Sequence, residues 1–595
     1  MNPRLSPAIR VLAAIVIIGL TALLAIAPEI ASGNSCGHDS DFHFSSWQDA
    51  HASWQQGDFY PHWTPSGNFN AGEPRFIFYP PFTWMLGAAL GFLFPWPQVS
   101  IALTWVLLFG AGLATYALAR LMLPRGPAAI AGSIAFITSY SLFDAYERTA
   151  FGELAGGIWI PLLLLFILRD RNQNGSLLKR AFDGSTVWLA LALAGAWFSD
   201  VPLGVMVSYM LAAVAASVAI MRRTWAPVIR ASAAVLLGLG LTGIYLAPAV
   251  MQQKWVTEKE AMTDPGYQIE NSWLFTQHPS LPNFGFHDVE LMRVSAIGTA
   301  NIAFALLCAL VAWKRNRLPG PRNVWVLLAL IPVAVLLLQL PVSLPVWNLL
   351  PKLRILQFPW RWLLLVQVPL SIFFACAIWI DRPLLRKISF VGLGLAMVAV
   401  TLVECQLFFQ VCYPDDEPQS MQKLPAPQRG YQGYDEYAPP YAQDSLVAAF
   451  LPDSCLVSSP MTPLGVRQAD ETPDDPPIWD KSQKSCEAVY PMKYTGHPRA
   501  EHIQVDFDAP HAGYLVLRLR SYPAWHIALN GKRLTQLPER KDGLIAVPVS
   551  AGQGDLRIDW TISDSDIAGR WLSAISLVGL IALFLAERES MPSHL

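Results

Sequence analysis

Residues 10–27 read RVLAAIVIIGLTALLAIA, and after Arg10 no charged side chain occurs until Glu29. At about 1.5 Å per residue the helix that holds this run, near 8–28, is long enough to cross a hydrocarbon core of about 30 Å. A cationic start and an apolar stretch also fit a secretory signal, but no convincing cleavage site follows, so the run is expected to be an uncleaved first transmembrane helix. Composition agrees. Of 595 residues 53% are hydrophobic and only 14% charged, with a mean hydropathy of +0.35, against about 25% charged in soluble domains. The formal charge of -2 offers no basic surface, so the lipid bilayer is expected as a partner and nucleic acid is not.

Working outward, runs of similar character lie near 98–121, 125–143, 153–168, 185–199, 202–221, 228–249, 293–313, 323–341, 360–380, 387–409 and 568–586. With the first, near 8–28, they make twelve candidate crossings, an even number that returns the C-terminus to the starting side. The clusters Arg4 and Arg10, Arg120 and Arg125, Arg169 to Arg180, Arg222 to Arg230, Lys314 to Arg322 and Arg382 to Lys387 all fall on one side of this layout. By the positive-inside rule that side, with both termini, is cytoplasmic, as for a bacterial inner-membrane protein. The run at 81–95, PFTWMLGAALGFLFP, is short and fenced by prolines, and is expected to be a half-helix or re-entrant element packed on protein.

The expected organisation is a helical membrane domain over 1–409, an extracytoplasmic domain over 410–566, and a closing helix with a cytoplasmic tail over 567–595. The main outer loops of the membrane domain are 29–97 and 250–292. Within 501–561 the segments HIQVDFD, GYLVLRLR and LRIDW alternate in polarity, and LNGKR marks a turn, which predicts a small antiparallel β-sandwich. Cys455 and Cys486 lie in this region, where oxidation is allowed, and are a candidate disulfide. Cys308, Cys376 and Cys405 fall in helices as small packing residues. Spacing assigns no partner to Cys36 or Cys412.

The first outer loop contains GHDSDFHFSSWQDAHASWQQGDFYPHWTPSGNFNAGEPRFIFYPPF. A helix over 39–56 places Asp39 and His43 on one face at i,i+4 and aligns Trp47, Ala50 and Trp54 in an apolar stripe, as for a helix on the membrane surface. A carboxylate beside a histidine suits a general base or a divalent-metal ligand. An Asp in this position also suits an N-cap. No compact HxxxH or CxxC pattern supports a zinc site.

The order Asp39, His43, GDFYPHW (57–63) and GEPRFIFYPPF (72–82), with YERTAFGELA (146–155), QFPWRW (357–362), GYDEYAPP (433–440) and SYPAWHIALNGK (521–532), resembles GT-C-type membrane glycosyltransferases. It is similar in particular to their uncharacterised bacterial relatives labelled 6-pyruvoyl-tetrahydropterin synthase-related membrane proteins, although no pterin-synthase zinc triad is present. The resemblance implies a mainly α, GT-C-like fold. It also implies transfer of a sugar from a polyprenyl-phosphate donor to an extracytoplasmic glycan or lipid acceptor, with Asp39 as catalytic base, Asp41 as its alternative and Glu73 assisting. Glu73 lacks the acid-lysine pair that some GT-C enzymes carry there. His43, Arg75, Tyr79, Arg148, Glu153 and Arg361 are the expected substrate-binding residues, an arginine fork suiting a phosphate. Asp39, His43 and Glu73 are the expected ligands if a divalent metal, Mg or Mn, takes part. The loop at 250–292, with Lys254, Trp255, Glu258 and Lys259, is a candidate lid. GYDEYAPP is a candidate contact for the active-site face, whereas Asp435 and Glu436 by themselves suit solvated loop charges or caps. The alternative is a non-catalytic accessory, or a transporter or flippase, in envelope polysaccharide assembly. A transporter places ionisable groups near the midplane, and the spanning segments here contain few, with Glu404 an exception near the end of one.

Overall fold

A computed structural model describes residues 6–137, 139–169, 175–257, 265–281, 284–413, 418–421, 429–467, 476–480, 485–495 and 501–589. Most of them are helical. The first helix, Pro7–Ala25, starts where the Ser6 hydroxyl accepts from the Ile9 N–H and Pro7 takes the first turn, as helix starts favour. Among the described residues seven helices are long and apolar enough to cross a membrane: Pro7–Ala25, Trp96–Ala119, Phe151–Leu168, Val201–Arg222, Gly285–Lys314, Pro383–Phe408 and Asp564–Glu587. Three bent pairs, over 226–255, 322–349 and 359–378, raise the number to ten at most.

Two of the twelve expected runs therefore do not pass on length. The 125–143 run is broken after the ten-residue helix Arg125–Ile134, and the 185–199 run is a 14-residue helix, Thr186–Ser199; these rise about 15 and 21 Å. The proline-fenced segment forms a ten-residue helix, Pro81–Leu90. It lies against the helix Ser40–Gln55, where a side chain at Gly87 would collide with Trp47.

The basic clusters and the polar loops occupy opposite ends of the bundle. At one end the Arg230 guanidinium donates to the carbonyls of Phe166, Arg169, Arg180 and Ala181 and pairs with Asp183 at 2.7 Å. There Arg222 also donates to Leu168 O and Arg315 to Ala377 O. At the other end, the loop face, residues 33–80 meet 144–153, and the Cys36–Cys412 disulfide ties the first loop to the end of Pro383–Phe408.

The C-terminal β region has two antiparallel sheets. One is ordered β1 (Ser454–Val457), β4 (Gly513–Arg520), β7 (Leu544–Val549). The other is ordered β2 (Lys493–Tyr494), β3 (His502–Ala509), β8 (Gly552–Trp560), β5 (Trp525–Leu529), β6 (Lys532–Leu534). Asn530 and Gly531, with φ of 50° and 75°, turn β5 into β6, the left-handed pair that a two-residue hairpin needs. The inward residues Leu515, Leu517, Val547, Val505, Leu556 and Ile558 share one hydrophobic core, and that core continues into Phe42, Trp63, Ile77 and Phe78 of the first loop. Cys455 and Cys486 are disulfide-bonded with Cα atoms 5.4 Å apart.

Candidate functional site

The Ser40–Gln55 helix does not lie on a surface: every residue from Phe42 to Ala50 is buried. The apolar stripe of Trp47 and Ala50 faces protein, and the opposite face is covered as well, by the rest of the first loop and the segment before the β region, with Ser66 on Asp49, Arg75 on Phe42 O and Tyr431 on Gln48. Asp39 occupies the N-cap position, but its side chain makes no capping hydrogen bond. Its backbone N–H donates to Arg148 O at 3.0 Å, and that of His38 donates to Glu147 O at 3.2 Å. Gly37 permits this approach, since a Cβ there would stand 2.5 Å from the Glu147 oxygen. The half-buried Asp39 carboxyl is pushed above its ordinary value by burial, opposed by the neighbouring Arg148, His38 and Arg361.

Arg148 ends a five-residue π-helical turn, Asp144–Arg148, followed by Thr149 at φ 49°. Such turns and left-handed residues concentrate at functional sites. Its Nη1 donates to Asp144 Oδ1 at 3.1 Å and to Glu153 Oε2 at 2.5 Å. Arg361 reaches the same Glu153 oxygen, Nε to Oε2 at 3.2 Å, carried there by a turn in which Gln357 has φ 58°. The Tyr140 hydroxyl donates to the other Glu153 oxygen at 2.6 Å. Burial and the neighbouring Glu153 push the Asp144 carboxyl well up, against the pull of Arg148. Asp200, which caps Val201–Arg222 through the Leu203 N–H, is pushed up to about 6, mainly by burial. The result is two arginines sharing one carboxylate, with Asp39 beside them.

Glu73 and Arg75 form a second group. Arg75 is buried, and its Nε and Nη2 both bind Glu73 Oε1, at 2.7 and 2.6 Å. Its Nη1 donates to Phe42 O, Ser45 Oγ and Ser46 Oγ. All three of its nitrogens are thus engaged within the protein. Glu73 Oε2 accepts from Asn68 and from the Tyr434 N–H, so both of its oxygens are engaged within the protein.

His43 is enclosed by the rings of Phe42, Trp47, Tyr79 and Phe151, and neither ring nitrogen has a hydrogen-bond partner. Burial, then the charge of Arg75, lowers it to about 3, so it is a neutral aromatic wedge. Tyr79 stands between the two groups: its ring packs on Phe42 with centroids 4.6 Å apart, and its hydroxyl is pushed up by burial and by the charges of Asp200 and Asp39. Among the described residues no group of three or more His, Cys, Asp or Glu side chains could hold a metal ion. The trio Asp39, His43 and Glu73 expected from the sequence is not brought together, because His43 faces rings and Glu73 faces Arg75.

Of the expected lid, Val256 is buried in the core of the β region and Trp255 packs on Tyr522; Glu258 and Lys259 lie outside the described residues. Sequence reasoning passed over Asp144, Tyr140, Asn68, Tyr434 and Arg520. Asp144 stands two residues before the YERTAFGELA motif, and Arg520 is an arginine on the same strand face as Val516; those were the signals available.

Bundle, loop face and β region together define a polytopic membrane protein with a buried, charge-paired site at the end of its helices. Its sequence matches the model of the family described as 6-pyruvoyl-tetrahydropterin synthase related domain, membrane protein, over residues 76–412. That is more than half of the chain, and the chain belongs to this family. The match includes Tyr79, Arg148, Glu153 and Arg361, and begins after Asp39, Asp41, His43, Glu73 and Arg75. No curated protein matches the sequence.

Proposed function

We propose that the chain is a GT-C-like membrane glycosyltransferase that moves a sugar from a polyprenyl-phosphate donor to an extracytoplasmic glycan or lipid acceptor. The observation that carries this reading is the half-buried Asp39, without a capping bond, beside Arg148 and Arg361 at the loop face of the bundle. A carboxylate held above its ordinary value is a competent acceptor of a hydroxyl proton. Two guanidinium groups beside it suit the charge that develops on a departing phosphate. In the proposed reaction Asp39 takes the acceptor proton, the acceptor oxygen attacks the anomeric carbon, and the carbon–oxygen bond to the lipid phosphate breaks with inversion. Arg148 and Arg361 stabilise the phosphate, while Glu153 holds both arginines. Arg75 and Glu73 take a positioning role.

An inner-membrane location, with both termini in the cytoplasm and the loop face outside, supports this reading and is itself supported by two features. Both disulfides lie on the loop face or in the β region, as an oxidising compartment favours, and the basic clusters lie at the other end. Twelve crossings fit better than ten. Arg125 follows the basic end of Trp96–Ala119, yet Glu147 and Arg148 bind residues 38 and 39, which supports a crossing over 125–143 although its helix is broken. Likewise 183–200 runs from Arg230 to the neighbourhood of Arg361. A two-sheet β-sandwich is the corresponding reading of the β region.

The test is sugar release from a panel of radiolabelled polyprenyl-phosphate sugars by the purified protein in lipid, with and without Mg or Mn. Turnover is expected in the wild type, with an acid limb above the ordinary carboxylate value, and a loss of at least about a hundredfold in Asp39→Asn at unchanged thermal stability. Absence of turnover with every donor would move the weight to an accessory or transport role.

A further inference from the structure

We infer that the β region and the segment leading into it are positioning parts of the site, holding the start of the Ser40–Gln55 helix through a buried polar chain from Arg520 to Asn68, Glu73 and Arg75, joined by Tyr434. The inference rests on the reading of Asp39 as the base. Arg520, at the end of β4, donates from Nη1 to Asn68 Oδ1 at 2.8 Å, and its backbone N–H donates to Ala71 O at 2.8 Å. Asn68 donates in turn to Glu73 Oε2 at 3.0 Å. Glu73 anchors Arg75, whose remaining donors hold Phe42 O, Ser45 and Ser46, all in the first two turns of the helix. The guanidinium lies between the rings of Phe42 and Tyr434, 4.6 and 4.9 Å from their centroids.

Tyr434 completes the arrangement from the side of the connecting segment. Its hydroxyl donates to Asp41 Oδ2 at 2.9 Å, while Asp41 Oδ1 accepts from the Phe42 N–H at 2.8 Å. Of the two acids at the helix start, Asp41 is therefore held by both oxygens. Asp39 is the one whose side chain the helix leaves uncapped. The connection is made at a cost in backbone conformation. Asn68, Phe69 and Asn70 are consecutive non-glycine residues with φ of 49°, 54° and 70°, a geometry that persists only where the surroundings impose it. Here they do: the Phe69 N–H donates to Tyr431 O at 2.7 Å and the Tyr431 N–H to Ser66 O at 2.8 Å. Gly430 and Gly433 let the two segments touch, since a side chain at either would strike Asn70 or Asn68.

These groups come from residues 41–75, 431–434 and 520, so the helix start takes its observed form only with the β region docked. A buried polar network fixes one geometry more sharply than apolar contact does, and the displacement of a catalytic group by about 1 Å costs rate rather than binding.

The experiment uses the full chain in lipid nanodiscs and the variants Tyr434→Phe and Asn68→Ser. Amide exchange is followed over 40–46, with β3 as the control for folding. Both variants are expected to speed exchange over 40–46 about tenfold while β3 is unchanged. In the transfer assay kcat is expected to fall about tenfold, with KM unchanged within about twofold. Unchanged exchange over 40–46, or an equal rise over β3 in both variants, would overturn the inference. A wild type with no turnover counts against the transferase reading alone, because the exchange arm still decides the positioning role.

Discussion

Glu29 shows how one residue can set a pH dependence. It sits just past the first membrane helix, is buried, and has one oxygen without a partner. Burial pushes its carboxyl from its ordinary value of 4.5 to about 8, against a backbone hydrogen bond from Ser35. A carboxyl raised in the folded state takes up a proton on folding. Its effect on stability is therefore nil below pH 4.5, grows unfavourably between 4.5 and 8 by up to about 1.4 kcal/mol per pH unit, and is constant above. Glu29→Gln removes the titration. The variant is expected to melt near the wild type at pH 5 and clearly above it at pH 8.5, by thermal denaturation in nanodiscs; equal melting at both pH values would mean that Glu29 is solvated. The sequence displayed Glu29 only as the acid ending an apolar run, because its burial comes from helices far along the chain.

At the scale of elements, the Ser40–Gln55 helix was legible in outline, since Trp47, Ala50 and Trp54 fall at helical spacing. Its surroundings were not. A stripe of apolar residues states that one face is covered, and is silent on whether lipid or protein covers the other. The Cys36–Cys412 disulfide, spanning 376 residues, was illegible for the same reason, whereas Cys455 and Cys486 are near enough in sequence to be paired on sight. Closing so long a loop restricts the unfolded chain, an effect of about 2–5 kcal/mol for native disulfides. Cys36→Ser is thus expected to lower the melting temperature and to remove part of the loss that a reductant causes in the wild type. A wild type indifferent to reductant, with Cys36 open to alkylation, would show that the bond does not form.

At the scale of the whole molecule, the loop face and the basic end make a prediction about sidedness. A cysteine at Ser550, exposed in the β region, is expected to react in intact cells with a maleimide that does not cross membranes. One at Asn316, on the turn after Gly285–Lys314, is expected to react only after lysis. The reverse pattern would invert the orientation and remove the oxidising environment from both disulfides.

Hydropathy by itself determined that this chain lives in a bilayer, where most of its spans lie, and that strands follow them, because each of those properties depends on residues adjacent in sequence. The likeness of its motifs to a membrane family had the same local origin. Tertiary structure alone decided that Arg148 and Arg361 share Glu153, that Arg75 is spent on Glu73 and the helix start, and that Arg520 of the β region closes over Asn68 of the first loop. Each of those contacts joins side chains brought together by packing, and a buried charge finds its partner in space, where the chain between the two leaves no mark.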